Sequence, residues 1–192
     1  MKEIIVVRHG QSYANIGESD HPDSELTPEG RSQVGTTGHW LAQHDLSEFQ
    51  GISSPLHRAL QTSQIISEFT GVEFMVDFGP REVGMVHDEF DIPLRREEFP
   101  DFRWRWNERR ASIKRENERT YLDRIESFYN ELSEGKYLIV SHGTPSRTLV
   151  GFASGQGLKV DMNDFVRNAS ISWVKDGKLV EYDKVLWKGL LE

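Results

Sequence analysis

Arginine and histidine side chains follow short apolar stretches at three separate places in this sequence. Arg8 and His9 end one such stretch, Arg58 follows a second, and His142 follows a third. If each stretch is a strand of one open α/β sheet, these groups lie beyond the carboxyl ends of the strands, where ligands bind in such sheets. Two arginines and two histidines in one crevice would repel a metal dication but would bind a phosphoryl group, because guanidinium donors match phosphate oxygens. The pattern therefore predicts a site for an anion and no metal.

Four short motifs occur in an order and spacing that resemble those of a known family. The sequence reads RHGQS at residues 8–12, with an asparagine at 15, LTPEG at 26–30, SPLHRALQT at 54–62 and SHG at 141–143. These stretches are similar to the opening motif, the start of the first helix, the second motif and the third motif of the histidine phosphatase superfamily, which includes the phosphoglycerate mutases. Each motif alone is weak, but four in the same order argue against coincidence.

The resemblance implies a covalent mechanism. In this family the first histidine attacks phosphorus and becomes phosphohistidine, so His9 would be the nucleophile. Arg8, Arg58 and His142 would bind the oxygens of the transferring phosphoryl group, and Asn15 would add a neutral donor. The further residues that we predict to bind substrate are Gln11, Ser12, Gly143 and Arg147. For Arg147, a surface position on the helix that follows His142 stays open as an alternative.

A leaving alkoxide needs a proton, and the family places a carboxylate after the third strand. Glu82 matches that place, so the resemblance implies that it is the acid of the first step and the base for water in the second. Burial near the substrate should raise the pKa of this carboxyl group toward neutrality. Two alternatives stay open: Asp88 or Glu89 could take the role, and Glu82 could be a surface carboxylate paired with Arg81.

The elements that must position these residues alternate between strands and helices. The apolar residues 3–7 predict a strand buried on both faces, as in the centre of a parallel sheet. Thr27 followed by Pro28 predicts the start of a helix that runs to about residue 44. Apolar spacing and turn residues predict the rest: a strand ending near 54, a helix at 58–69, a strand at 72–76, a helix at 120–132, a strand at 137–140, a helix from Pro145, and a hairpin of 170–174 with 179–182 about Asp176-Gly177. The order predicts a three-layer α/β/α sandwich with a mostly parallel mixed sheet.

We expect a single domain over residues 1–192, in which residues 77–119 form a lid or an insertion. This segment contains three prolines and is predicted to be irregular, and a long irregular stretch in a compact domain is usually functional. Residues 95–119 hold nine Lys or Arg side chains against six acidic ones. Trp104 and Trp106 in this stretch are compatible with a lid over the substrate or with an amphipathic helix packed on the domain.

Composition narrows the class of protein. The hydrophobic fraction is 36% and the apolar runs are short, so we expect a soluble protein without a membrane span. The first residues lack the pattern of an export signal and the chain contains no cysteine, which together favour the cytoplasm. A net charge of −8 argues against binding to nucleic acid or to anionic membranes.

These observations predict a phosphatase that hydrolyses a small-molecule phosphate ester and needs no cofactor. A phosphoglycerate mutase is the main alternative, because it uses the same site and returns the phosphoryl group to its substrate. The chain is short for the insertions that shield phosphohistidine from water in mutases, which favours hydrolysis. A non-catalytic module that binds a phosphorylated ligand is a weaker alternative, since the predicted nucleophile and both arginines are present. A metal hydrolase is weaker still, because no two histidines form a close ligand pair such as His-x-x-x-His.

Overall fold

The computed structural model describes residues 1–84, 92–105, 116–156 and 166–187. Within these residues the chain forms seven strands, five α-helices and one turn of 3₁₀ helix at Tyr13–Ile16. The strands are β1 (Lys2–Arg8), β2 (Phe49–Ser53), β3 (Phe74–Val76), β4 (Arg103–Trp104), β5 (Gly135–Ser141), β6 (Ile171–Lys175) and β7 (Lys178–Lys184). The helices are α1 (Pro28–Leu41), α2 (His57–Thr70), α3 (Ile92–Glu98), α4 (Glu118–Glu131) and α5 (Gly143–Ala153).

One mixed sheet joins the strands in the order β4-β3-β2-β5-β1-β6-β7. The pairs from β4 to β1 are parallel, whereas β6 is antiparallel to both β1 and β7. The register sets Arg8 beside Ser141 and Ser53 beside Val140, so β1, β2 and β5 end at the same edge of the sheet. This edge is where the sequence predicted the site.

Both faces of the sheet are covered by helices. Along β1, the side chains of Ile5 and Val7 pack in the cluster that contains residues of α1 and α2, while Ile4 and Val6 pack in the cluster that contains residues of α4 and α5. Successive residues of a strand point to opposite faces, so an uninterrupted apolar run such as this one requires a helix layer on each side. The predicted three-layer α/β/α sandwich with a mostly parallel mixed sheet is confirmed.

The helix boundaries differ slightly from the prediction. Thr27 caps α1 through a hydrogen bond from the Gly30 N–H to its hydroxyl at 2.9 Å, as expected from Thr27-Pro28. The helix ends at Leu41 rather than near residue 44. Helix α5 begins at Gly143, two residues before the predicted start at Pro145.

Residues 77–119 contain two elements that the sequence did not predict. Helix α3 carries Pro93 in its first turn, where a missing N–H costs no hydrogen bond, and Pro100 follows the end of the helix. Strand β4 adds to β3 in parallel, with Trp104 beside Val76. The prediction of a wholly irregular segment is therefore wrong; Trp106, Asp88 and Glu89 lie outside the described residues.

The predicted C-terminal hairpin joins β6 to β7 through Asp176 and Gly177. Both residues have positive φ, 51° and 70°, as a two-residue type I′ turn requires, and glycine adopts this backbone without strain. Among the described residues, no helix combines the length and the apolar character needed to cross a membrane.

Candidate active site

The turn after β1 presents Arg8 and His9 because two glycines let it approach α1. A Cβ atom on Gly10 would lie 2.5 Å from the Gly30 carbonyl oxygen, and a Cβ atom on Gly30 would lie 2.0 Å from the Gln11 carbonyl oxygen. Neither position accepts a side chain without movement of backbone. The glycines of the first two motifs therefore meet each other, and their contact fixes the direction in which the chain leaves β1.

The structure brings His9, Arg58 and His142 together from the ends of three neighbouring strands. The rings of His9 and His142 are 5.0 Å apart between centroids, and the Arg58 Nε–H donates to His9 Nε2 at 3.1 Å. Arg58 lies in the first turn of α2, and His142 is the residue that precedes α5. All three side chains are buried. This is the convergence that the parallel topology predicts.

The hydrogen bonds of His9 assign its tautomer. The Nδ1–H donates to the Gly10 carbonyl oxygen at 2.6 Å, which leaves a lone pair on Nε2 to accept from Arg58. Burial, followed by the charges of Arg58 and Arg8, holds the pKa of His9 well below its usual value. The imidazole is therefore neutral at physiological pH, and its nucleophilic nitrogen faces a cation.

Arg8 and Arg58 are held by backbone carbonyl groups. The Arg8 Nη1 donates to the Val166 carbonyl oxygen, and the Arg58 Nη1 donates to the Pro22 carbonyl oxygen at 2.7 Å. Burial lowers the pKa of Arg8 to about 10, although the negative charge of Glu82 partly opposes this shift. Arg8 therefore keeps its positive charge at neutral pH. Gly143 adjoins this guanidinium group, since a Cβ atom on Gly143 would lie 3.8 Å from Arg8 Cζ.

His142 is oriented by a serine from the end of β2. Its Nε2 lies 2.7 Å from the Ser54 hydroxyl, which in turn accepts a long hydrogen bond of 3.4 Å from the Leu56 N–H. This arrangement lets Ser54 donate to Nε2, so that the proton of a neutral imidazole resides on Nδ1. The pKa of His142 lies well below its usual value, chiefly because of burial. His142 Nδ1 is buried without a hydrogen-bond partner among the described residues, so it is available to a ligand.

The loop after His9 is held by contacts among its own polar residues. Ser12 has no exposed surface, and its hydroxyl donates to Asn15 Oδ1 at 3.1 Å. Gln11 accepts from the Thr27 hydroxyl at 2.8 Å. The side chains of Gln11 and Ser12 are thus engaged with the fold rather than collected around His9. Asn15 is exposed, and its amide oxygen accepts from Ser12 and Asn168, which leaves the NH₂ group as its donor.

Asn168 is a residue that the motifs missed. Its amide donates at 3.1 Å both to the His9 carbonyl oxygen and to Asn15 Oδ1, so it joins the segment before β6 to the turn that follows β1. It belongs to none of the four motifs, and a lone asparagine gives no periodic signal.

Arg147 is partly buried on α5, and its charge lowers the pKa of Arg8. It therefore lies within electrostatic reach of Arg8, which is consistent with the predicted role in binding substrate.

Glu82 lies in the loop after β3 and is electrostatically coupled to the site. One of its oxygens accepts from the Val83 N–H at 2.8 Å. Burial raises the pKa of Glu82, while that hydrogen bond and the charges of Arg58 and Arg8 lower it. Burial dominates, so the neutral acid is favoured relative to an exposed glutamate. Arg81 is the residue that the sequence left open as an ion-pair partner of Glu82. Its guanidinium group contacts Glu116 at 3.5 Å and the Phe78 carbonyl oxygen at 3.3 Å.

The site that results is a cationic crevice for a small anion. It combines a neutral imidazole nitrogen, two buried guanidinium groups, a second imidazole with a free ring nitrogen and a carboxyl group whose pKa is raised. Within residues 1–84, 92–105, 116–156 and 166–187, no three His, Cys, Asp or Glu side chains are grouped as metal ligands. A phosphoryl group suits these donors, because its oxygens can accept from both arginines while phosphorus meets His9 Nε2.

Comparisons with known proteins identify relatives over most of the length of this chain. The sequence model of the histidine phosphatase superfamily (branch 1) matches residues 4–180. The chain is 30% identical over 183 residues to "Putative phosphoserine phosphatase 2" of Hydrogenobacter thermophilus. The alignment covers 90% of this chain and 88% of that protein. It is 28% identical over 202 residues to "Probable phosphoglycerate mutase GpmB" of Salmonella typhi, covering 94% and 92%. Mitochondrial serine/threonine-protein phosphatase Pgam5 of Drosophila sechellia is 28% identical over 186 residues, and the chain spans 58% of its length.

A solved structure supports the fold independently of sequence. The ecdysone phosphate phosphatase from Bombix mori, in complex with tungstate, superposes with a TM-score of 0.69 at 13% identity. The match covers 95% of this chain and 93% of that one. At such low identity the likeness concerns the fold alone.

Proposed function

Because this chain belongs to branch 1 of the histidine phosphatase superfamily, we propose that it hydrolyses a small-molecule phosphomonoester through a phosphohistidine intermediate on His9. One observation carries the proposal: His9 is neutral, and its Nε2 lone pair faces the Arg58 guanidinium group in a buried crevice. A neutral imidazole is a nucleophile, and a guanidinium group beside it is a ligand for phosphoryl oxygens. The phosphatase names of several relatives support the same reading.

In the first step, His9 Nε2 attacks phosphorus as the bond from phosphorus to the leaving oxygen breaks. Arg58 exchanges its hydrogen bond to Nε2 for one to a phosphoryl oxygen, which frees the lone pair. Arg8 and His142 Nδ1–H stabilise the remaining oxygens, where charge accumulates in the transition state. Glu82, in its neutral form, gives its proton to the leaving alkoxide.

In the second step, water attacks phosphorus of the phosphohistidine in line with the N–P bond. Glu82, now a carboxylate, takes a proton from the water as that bond breaks, and His9 returns to its neutral form. The raised pKa of Glu82 supports this double role, because a group that titrates nearer to neutrality can both give and receive the proton.

The surrounding residues divide between contact and support in this proposal. Asn15 and Gly143 contact the phosphoryl group, and Arg147 adds positive charge at the rim of the crevice. Gln11 and Ser12, first predicted as substrate ligands, act instead by holding the loop, because their hydrogen bonds go to Thr27 and Asn15. The proposal also keeps residues 77–119 as an insertion that borders the site, a single domain, and a reducing compartment such as the cytoplasm, consistent with the absence of cysteine.

A panel of phosphate esters tests the proposal on the wild type and on His9→Ala. We expect the wild type to release phosphate from at least one small ester, and we expect His9→Ala to lose turnover while keeping its fold, because the substitution removes the proposed nucleophile. Circular dichroism checks the fold of the variant. Appreciable phosphate release by a folded His9→Ala variant would contradict the covalent mechanism.

The similarity to a phosphoglycerate mutase favours one second candidate. A mutase would interconvert phosphoglycerates and would depend on a bisphosphate to load the histidine, whereas a phosphatase releases inorganic phosphate. Incubation with 3-phosphoglycerate, with and without the 2,3-bisphosphate, separates the two activities. We expect release of phosphate; transfer without release would assign the mutase.

A further inference from the structure

The loop that carries Glu82 is held by an ion pair that lies inside the protein. We infer that Glu116 and Arg124 are a positioning pair that fixes the backbone on both sides of Glu82 and so aims its carboxyl group at the phosphoryl site. The inference rests on the proposed role of Glu82 as the acid, and it adds two residues to the reaction that no motif indicated. Neither residue contacts the substrate.

The pair itself is fully buried and has ideal geometry. The side chains of Glu116 and Arg124 have no exposed surface. The Arg124 Nε and Nη2 donate to the two Glu116 oxygens at 2.6 and 2.8 Å, which is the bidentate arrangement. Glu116 comes two residues before α4 and Arg124 lies in its second turn, so the pair joins the segment that enters this helix to the helix itself.

The remaining polar atoms of the pair reach the Glu82 loop. The Arg124 Nη1 donates to the carbonyl oxygens of Gly79 and of Arg81, the latter at 3.2 Å. The Gly84 N–H donates to Glu116 Oε2 at 3.4 Å. The loop is therefore held immediately before Glu82 and two residues after it. Residues 77–84 form neither a helix nor a strand, so the regular backbone hydrogen bonds of such an element do not fix their conformation. The side chains of Glu116 and Arg124 bind this backbone instead.

Stability alone is a poor explanation for this arrangement. Two charges taken out of water cost several kcal/mol in desolvation, and a buried pair is often no more stabilising than apolar side chains of the same volume. The pair instead offers fixed directions, because a planar guanidinium group serves two carboxylate oxygens and two carbonyl groups at once. The charge of Arg124 also reaches Glu82, because it lowers the pKa of that carboxyl group against the larger effect of burial.

The test compares two substrates that differ in their need for an acid. Glycerol phosphate has a poor leaving group, whereas nitrophenyl phosphate releases a phenolate without help. We would measure kcat/KM, because it reports the step up to departure of the leaving group and not the hydrolysis of phosphohistidine. In Arg124→Lys and in Glu116→Gln, kcat/KM for glycerol phosphate should fall by about 10- to 100-fold, as expected for a displacement of the acid by about 1 Å. For nitrophenyl phosphate it should fall by less than about threefold.

A buried neighbour on the same helix provides the matched control. Ile125→Val removes one methylene group from the core beside Arg124, so it lowers stability without touching the Glu82 loop. The ratio of the two kcat/KM values should stay at the wild-type value in this variant. In a Glu82→Gln background, Arg124→Lys should change the ratio little further, because both substitutions remove the same proton transfer.

The outcomes separate this inference from the proposed function. If Glu82→Gln alone leaves the substrate ratio unchanged, the role of Glu82 and the positioning inference are both overturned. If Glu82→Gln changes the ratio but Arg124→Lys and Glu116→Gln behave like Ile125→Val, only the positioning inference is overturned. A loss in both pair variants that is selective for glycerol phosphate and absent in the Glu82→Gln background supports it.

Discussion

At the scale of single residues, the site depends on which ring nitrogen carries each proton. His9 must present a lone pair on Nε2, and its Nδ1–H bond to Gly10 fixes that state. In the proposed mechanism His142 must present a donor on Nδ1, which requires the Ser54 hydroxyl to donate to Nε2, 2.7 Å away. The two neutral imidazoles, 5.0 Å apart, then take opposite roles in the proposal, one as nucleophile and the other as hydrogen-bond donor.

Ser54 is therefore predicted to support catalysis through His142. In Ser54→Ala, the His142 Nε2 loses its partner and the proton no longer has a preferred nitrogen. Leaving a buried acceptor unpaired costs about 1–3 kcal/mol, and the same loss of transition-state stabilisation corresponds to a decrease in kcat/KM of about 5- to 150-fold. Steady-state kinetics on any accepted ester measures the change.

Ser53→Ala is the control for this prediction. Ser53 is equally buried and precedes Ser54, but its hydroxyl donates to the Ser54 carbonyl oxygen at 2.9 Å instead of to His142. Both variants lose one buried hydroxyl group, so their losses of stability should be similar. Equal kcat/KM values in the two variants would show that Ser54 does not act through His142.

At the scale of elements, α3 contacts the start of α2 through a buried carboxylate, in addition to the contact of Glu98 with His57. Asp23 accepts from the His57 N–H at 2.6 Å at the start of α2 and from the Arg95 Nε–H of α3 at 3.3 Å. Its side chain has no exposed surface. Asp23 follows Pro22, whose carbonyl group accepts from Arg58, so the contact with α3 borders the arginine that we propose to bind the phosphoryl group.

Arg95→Ala should accordingly destabilise the fold. The substitution leaves the buried Asp23 carboxylate without its nearest guanidinium partner, and a hydrogen bond to a charged group contributes about 1.5–3 kcal/mol. We expect the free energy of unfolding in urea to fall by about that amount. Arg103→Ala is the comparison, because the Arg103 pair with Glu73 is exposed at 81% and 83% and should matter little. Equal losses in both variants would contradict a special role for the contact with α3.

The sequence predicted the elements that carry periodic or motif signals and missed those that depend on distant partners. Strand β1 and its site residues were predictable because an apolar β-branched run ends directly at Arg8 and His9. Strand β4 was missed, because two residues carry no periodicity and are held by pairing to β3. Asp23, Asn168 and the Glu116–Arg124 pair were missed for a related reason: each acts on a segment that is remote in sequence or in another element. Glu82 was found only through the family resemblance.

At the scale of the whole molecule, a positive crevice is set in a negative protein. The net charge is −8, yet Arg8, Arg58 and Arg147 act on one site at the carboxyl edge of the sheet. We expect this negative charge to disfavour nucleic acids and anionic membranes, whose many charges extend beyond the crevice. A small phosphate ester would place its charge within the crevice, which is consistent with the proposed small-molecule substrate.

The layers of the sandwich make this site rigid. The central strands β1 and β5 are buried on both faces, and the side chains that they deliver inherit that rigidity. Among the described residues, the Glu82 loop and the segment around α3 approach this edge from outside the sheet, as do the loops that carry Asn15 and Asn168. We expect differences in specificity to arise in the Glu82 loop and around α3, while the proposed nucleophile His9 and the two arginines beside it stay fixed by the core.

Trapping of the covalent intermediate tests the central claim most directly. The wild type would be mixed with an accepted ester that carries a radiolabelled phosphoryl group, quenched during turnover in alkaline denaturant, and digested for peptide mapping. A phosphohistidine is stable in alkali and hydrolyses in acid, so we predict an alkali-stable, acid-labile label on the peptide that contains His9, and no label in His9→Ala. Release of phosphate by the wild type with no label on His9, or with the label on another residue, would contradict the mechanism.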